Sequence, residues 1–194
     1  MKPPANETMR QLYHIFIGLC FITTLLLFGK GMLLFLLMPC ALFVLCIVHL
    51  KHLHARIPIV DDLLLRMERT DAPSQGAGSL WYVCGMLLLA SFLQNDAALA
   101  CSLFILAIGD GVSTLVGKHF GKHPIPYNKK KTMEGSLAFF LSCTPVFFLG
   151  GLPALLVAAA CTVVESLPHD FGKIRLDDNL TISLACLLLF GAMG

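Results

Sequence analysis

The feature that most restricts how this chain can fold is the length of its stretches without charge. Leu12 to Phe28, Gly31 to Leu50, Ser79 to Asn95 and Leu180 to Gly194 contain no Asp, Glu, Lys or Arg. Ala97 to Gly117 is interrupted only by Asp110, and Gly135 to Val164 is again uncharged. A helix needs about 20 apolar residues to cross the hydrocarbon of a bilayer. With 57% hydrophobic and 13% charged residues among 194, the chain lies far from a soluble domain, which carries about 25% charged residues. The Gly135–Val164 run is too long for one crossing and is divided by Gly150-Gly151-Leu152-Pro153, a turn signal. The expected architecture is all-α: one integral membrane domain over 1–194, with about seven transmembrane helices. Polar residues precede the first run and a second run follows at once, which argues against a cleaved signal peptide.

Lysine and arginine set the expected orientation. With a cytoplasmic N-terminus and seven crossings, 13 of the 14 Lys and Arg residues fall on the inner side, and only Lys30 lies outside. Every sizeable loop is then cytoplasmic, and any chemistry is expected there. The eight cysteines (20, 40, 46, 84, 101, 143, 161 and 186) are scattered through the apolar runs with no C-x-x-C, and read as small apolar residues. The one-sided positive charge suits anionic headgroups or a phosphorylated substrate; no nucleic-acid partner is expected. Residues 51–78 form the longest inner connection. Within it Ile59, Val60, Leu63, Leu64 and Met67 recur at helical spacing among charged residues, predicting an amphipathic helix on the inner leaflet.

Asp110 is the residue hardest to explain by membrane insertion alone. Counted from Asp96 it lies about 21 Å along a helix, in the inner third of the hydrocarbon, where a carboxylate costs on the order of 3 kcal/mol. Ser113, Thr114, Gly117 and Gly121 project from roughly the same face. Small residues there also suit close helix packing, but packing does not call for the acid.

The loop that follows carries Lys118, Lys122, Lys129, Lys130 and Lys131. It is not a Walker A loop. Five residues separate Gly111 from Gly117 where that motif has four, and His119 stands where Ser or Thr should follow the lysine. The lysines suit either a polyphosphate or membrane topology. Thr132 can cap the next helix, with Glu134 in its first turn. Glu165 lies at a helix C-terminus just before Pro168, where a carboxylate opposes the helix dipole. Asp177-Asp178-Asn179 opens the last apolar run, and capping needs only one of the three. Asp110, Glu165, Asp177 and Asp178, gathered beside lysines at one interface, suit phosphates bridged by Mg²⁺.

In these residues the chain resembles the CTP-dependent lipid kinases: dolichol and other polyprenol kinases, phytol kinase and the CTP-using diacylglycerol kinases. The segments that carry the resemblance are GDGVSTLVGKHFG at 109–121, PYNKKKTMEGSLAFF at 126–140, VESLP at 164–168 and LDDNLTI at 176–182. Their order and spacing agree with the family over 105–183, and the chain is nearer its compact prokaryotic members. Before the first run, Arg10-Gln11-Leu12-Tyr13-His14 resembles a weaker family pattern of two basic residues and a histidine, with Gln11 in place of the second base.

The resemblance implies transfer of the γ-phosphoryl group of CTP to a lipid alcohol, polyprenol or dolichol favoured, with phytol, geranylgeraniol or diacylglycerol as alternatives. Asp110 would hold a metal ion, Mg²⁺ or another divalent cation, or accept the hydroxyl proton. Glu165, Asp177 and Asp178 would complete the metal site, and Arg10 and His14 would join Asp110 and Glu165 in catalysis. Gly117, Lys118, Gly121, Lys122, Asn128, Lys129, Lys130, Lys131, Gly135 and Asn179 would bind nucleotide and phosphates. The expected location is a prokaryotic plasma membrane, or an endoplasmic reticulum or plastid membrane in a eukaryote, with the site facing the cytoplasm. Small-residue helix faces permit a homodimer. Two other functions compete: a CDP-lipid synthase, which would release pyrophosphate from CTP, and a small transporter, which would favour ionisable residues nearer the bilayer midplane.

Overall fold

The computed structural model describes residues 7–55, 58, 61, 76–168, 170–171 and 174–193. The segment expected to form the amphipathic helix, Ile59 to Met67, lies outside the described residues apart from Asp61.

The apolar runs become helices with few interruptions. Helix α1 spans Glu7–His52 and is broken at Gly29, whose φ of 79° is open to glycine and strained for other residues. This is where the sequence places the turn between its first two runs. Helix α2 (Ala77–Phe92) is followed by α3 (Asp96–Phe104), whose first turn is capped by Asn95 accepting from the Ala97 and Ala98 amides at 2.9 and 3.1 Å. A π turn over Ile105–Gly109 carries α3 without a break into α4 (Asp110–Phe120). Helix α5 (Met133–Cys143) leads through a 3₁₀ turn to α6 (Phe147–Ser166), itself broken at Gly151, and α7 spans Asp178–Met193.

Two short antiparallel hairpins join these helices on the polar side, an addition to the all-helical expectation. Strands β1 (Pro124–Ile125) and β2 (Asn128–Thr132) form one, and β3 (Asp170–Phe171) and β4 (Ile174–Arg175) form the other.

The rod formed by α3, the π turn and α4 is the most buried of the long helices. Its Leu99, Leu103, Ile105 and Leu106 are fully buried, together with Phe139 of α5, Val157 of α6 and Ile182 of α7. Helix α1 packs on α2, α3 and α4, while α7 packs on α2 and α6. Many large apolar side chains also face outward. Phe148 is 88% exposed, Phe35 71% and Leu27 70%, a surface that lipid tails can cover and water cannot without a large cost. The helices Glu7–His52, Asp96–Phe120 and Met133–Ser166 are long and apolar enough to cross a membrane, and Ala77–Phe92 and Asp178–Met193 are shorter apolar helices. All eight cysteines are free thiols.

Candidate active site

The polar groups buried in this apolar scaffold gather where α4, α6 and α7 end near the β1–β2 hairpin. Asp110 opens α4 and is 6% exposed. The preceding π turn widens the helix just ahead of it, a distortion frequent at functional sites. One turn further on, Ser113 is also buried and donates to Oε1 of Glu165 at 2.7 Å. Glu165, in the last turn of α6, is fully buried.

The hairpin supplies the counter-charge because its tip is fastened to the end of α6. Asn128 donates through Nδ2 to the carbonyls of Ser166 (3.1 Å) and Leu167 (3.0 Å), and the Tyr127 hydroxyl pairs with that of Ser166 at 2.8 Å. Asn128 therefore serves as a clamp on the helix end. Three residues along the strand, Lys131 donates to Glu165 Oε1 at 2.5 Å and to Asp178 Oδ2 at 2.9 Å. Burial by itself would lower the pKa of this ammonium, but the carboxylates of Asp178, Glu165 and Asp110 outweigh it and hold the pKa well above the usual lysine value. The other loop lysines, Lys118, Lys122, Lys129 and Lys130, are exposed around this centre.

The start of α1 forms a further wall. His14 lies with Nε2 3.8 Å from Asp110 Oδ2 and 3.3 Å from the Leu106 carbonyl of the π turn. Its ring stacks on Tyr82 at 3.7 Å between centroids, and the Tyr82 hydroxyl donates to the His14 carbonyl at 2.9 Å. Sequence reasoning passed over Tyr82; a phenol inside an uncharged run was the available signal. Arg10 is held by an ion pair with Glu7, which also accepts from Gln11 Nε2 at 3.1 Å. Thr8 meets His119 at 2.9 Å, which docks the start of α1 on the end of α4.

The glycines occupy a different place from the loop lysines. A Cβ on Gly117 would stand 3.1 Å from Thr132 Oγ1, and one on Gly135 would stand 3.0 Å from the Ser113 carbonyl and 3.3 Å from the Gly117 Cα. Gly117 and Gly135 thus let α4 and α5 approach closely, and Gly121 also lies against Thr132. Thr132 caps α5 by accepting from the Gly135 amide at 3.2 Å, and Glu134 braces the loop by pairing with His123 at 2.6 Å. At α7, Asp177 is the cap: its Oδ1 accepts from the Asn179 amide and side chain at 3.0 and 2.8 Å. Asn179 is buried, and its Oδ1 has no hydrogen-bond partner among the described residues.

Among the described residues, no group of three or more His, Cys, Asp and Glu side chains is arranged to hold a metal ion. The arrangement is a carboxylate pair, Glu165 and Asp178, converging on one ammonium, with Asp110 close enough to add its field. Glu165 Oε2 is buried with no hydrogen-bond partner among the described residues. Two hard oxygen donors meeting at a cation position, one of them with a lone oxygen to spare, fit Mg²⁺, which is usually held by one or two carboxylates plus substrate oxygens.

The sequence is similar to that of an uncharacterized protein of Methanocaldococcus jannaschii, 31% identical over 176 residues that cover 90% of this chain and 87% of that protein. It is also similar to the chloroplast farnesol kinase of Arabidopsis thaliana, 31% identical over 206 residues, covering 94% of this chain and 64% of the kinase. The chloroplast phytol kinase 1 of the same plant is 33% identical over 129 residues, covering 57% of this chain and 41% of the kinase. The chain therefore spans less than two thirds of the length of either plant kinase. No family model matches it, and no solved structure does so significantly.

Proposed function

The chain belongs to the same family as the phytol and farnesol kinases, and on that footing we propose that it is a membrane-embedded lipid alcohol kinase. In this reading the γ-phosphoryl group of CTP passes to the hydroxyl of an isoprenoid alcohol, giving CDP and a lipid monophosphate. The observation that carries it is the buried Glu165, held by Ser113 and by a lysine shared with Asp178, at the end of an apolar helix. A purely structural membrane protein has no use for that cluster, given what buried charge costs. That the plant relatives are a phytol kinase and a farnesol kinase moves the favoured acceptor from polyprenol or dolichol towards phytol and farnesol.

The alcohol oxygen attacks the γ-phosphorus, the bond to the bridging β-oxygen breaks, and the hydroxyl proton goes to the Asp110 carboxylate. His14, 3.8 Å from that carboxylate and fixed by Tyr82, orients it. A bound divalent cation would supply charge neutralisation at the phosphates. Glu165 and Asp178 would hold it; Asp177 is less suited because its Oδ1 caps α7. Lys118, Lys122, Lys129 and Lys130 would draw in the nucleotide, and Asn179 Oδ1 would accept from it. The apolar helix surface keeps the isoprenoid tail in the bilayer while the hydroxyl reaches Asp110. The orientation that suits this chemistry is the expected one. The N-terminus and the site are cytoplasmic, and seven crossings result when α1 is divided at Gly29 and 133–166 at its central break.

The test is transfer of label from γ-labelled CTP, with Mg²⁺, to a panel of alcohols including phytol, farnesol, a polyprenol and diacylglycerol. Label in the lipid is the expected result. Labelled pyrophosphate with an unlabelled lipid would replace the kinase by a CDP-lipid synthase.

A further inference from the structure

Of three consecutive lysines, only Lys131 turns inward. Lys129 and Lys130 are exposed on β2, whereas Lys131 reaches Glu165 at 2.5 Å and Asp178 at 2.9 Å together. Among the described residues, the contacts to Glu165 from Ser113 and from Lys131 both fall on Oε1, and the buried Oε2 has no partner. A buried carboxylate oxygen in that state is costly. The pair of acids is thus half-neutralised by a removable side chain and keeps one donor atom in reserve. The hairpin itself is fixed by Asn128 on the end of α6, so the flexible lysine stem can move without the backbone.

We propose that Lys131 is a placeholder cation: it occupies the position between Glu165 and Asp178 until a divalent cation arrives with the nucleotide, and then turns its ammonium to the phosphates. The identity of the incoming cation rests on the kinase reading above; the exchange is a property of these side chains. An ammonium and a divalent cation repel each other and cannot share two carboxylates at hydrogen-bond distance. While Lys131 stays, a free cation is opposed. Once a polyphosphate offers the ammonium another anion, both cations have an anionic partner and the repulsion between them is relieved. Metal and nucleotide should therefore bind as one unit, and the metal alone only weakly.

The experiment is a titration of the full chain in lipid nanodiscs with Mn²⁺ alone, without nucleotide, followed by electron paramagnetic resonance. Wild type should bind weakly. Lys131→Met and Lys131→Gln should bind more tightly by roughly tenfold or more, about 1.4 kcal/mol, and adding Glu165→Gln should remove the gain. Lysine variants that bind Mn²⁺ no better than wild type overturn the proposal, as does a wild type that binds as tightly as the variants. If the variants do not stay folded without metal, Mn²⁺ during purification should recover folded protein; failure to recover it overturns the exchange. The labelled-CTP assay on wild type separates the two ideas. Transfer of label with no Mn²⁺ gain keeps the kinase and removes the placeholder, and the reverse keeps the placeholder and removes the kinase.

Discussion

Two lysines near opposite ends of the central α3–α4 rod perform different electrostatic work. Lys30, beside the break in α1, donates to the Leu93 carbonyl at 2.8 Å and to Gln94 Oε1 at 3.4 Å. It satisfies a carbonyl at the C-terminal end of α2 and, among the described residues, meets no carboxylate there. Lys131 meets two carboxylates, one of them fully buried. The first lysine closes a helix end and the second balances a charge that the fold could otherwise not hold. The difference shows why the polar groups of this protein have unequal value. A capping donor has water as a substitute, whereas a counter-ion to a buried acid has none.

The contrast is broken most directly at the acids. Asp110→Asn should lower label transfer by roughly 100-fold to 10,000-fold, the scale of lost acid–base catalysis, with the helical circular dichroism spectrum unchanged. Near-normal turnover in that variant would remove Asp110 from the site. Lys131→Met should destabilise the metal-free protein by about 3–5 kcal/mol, as for one partner taken from a buried pair, measured by thermal unfolding in detergent. The pH dependence of this loss sharpens the point. The pKa of Lys131 is raised in the folded state, so its stabilisation is complete below the unfolded value of about 10.4. It is lost only as pH rises through the higher folded value, and the wild type-to-variant gap due to Lys131 should be flat between about pH 6 and 9.

Gly135→Ala should cost about 1–3 kcal/mol by overpacking the α4–α5 contact, because the added methyl meets the Ser113 carbonyl and Gly117. An unchanged melting temperature would show that the helices can separate freely. Smallest is Lys30→Ala, which should lower stability by about 1 kcal/mol and leave turnover untouched. A fall in turnover would tie the far end of the rod to the chemistry.

The acids were readable in the sequence because a charge in an apolar run is expensive and therefore conspicuous. Asp110 stood out on that ground and Glu165 because a carboxylate at a helix C-terminus opposes the dipole, and both are buried. The run Asp177-Asp178-Asn179 was read as capping plus something more, and Asp177 caps while Asp178 meets Lys131. The orientation of Lys131 was not readable. Three identical neighbours carry no periodic signal, and the inward one is selected by the Asn128 clamp on α6, a tertiary contact. The glycines were read both as access for phosphate and as small residues suited to helix packing; that Gly117 of α4 faces Gly135 of α5 is visible only once the chain is folded. The π turn left no mark in Ile105-Leu106-Ala107-Ile108-Gly109, an ordinary apolar string.

That wide turn also sets the rotational phase of the rod. Each residue of a helix advances the side chains by about 100°, and a π turn holds one residue more than the regular winding would. The half that begins at Asp96 and the half that begins at Asp110 are therefore out of step by nearly a third of a revolution. Shortening Ile105–Gly109 by one residue would restore the regular winding and swing Asp110 and Ser113 together away from Glu165, with every side chain of the site still present in the chain.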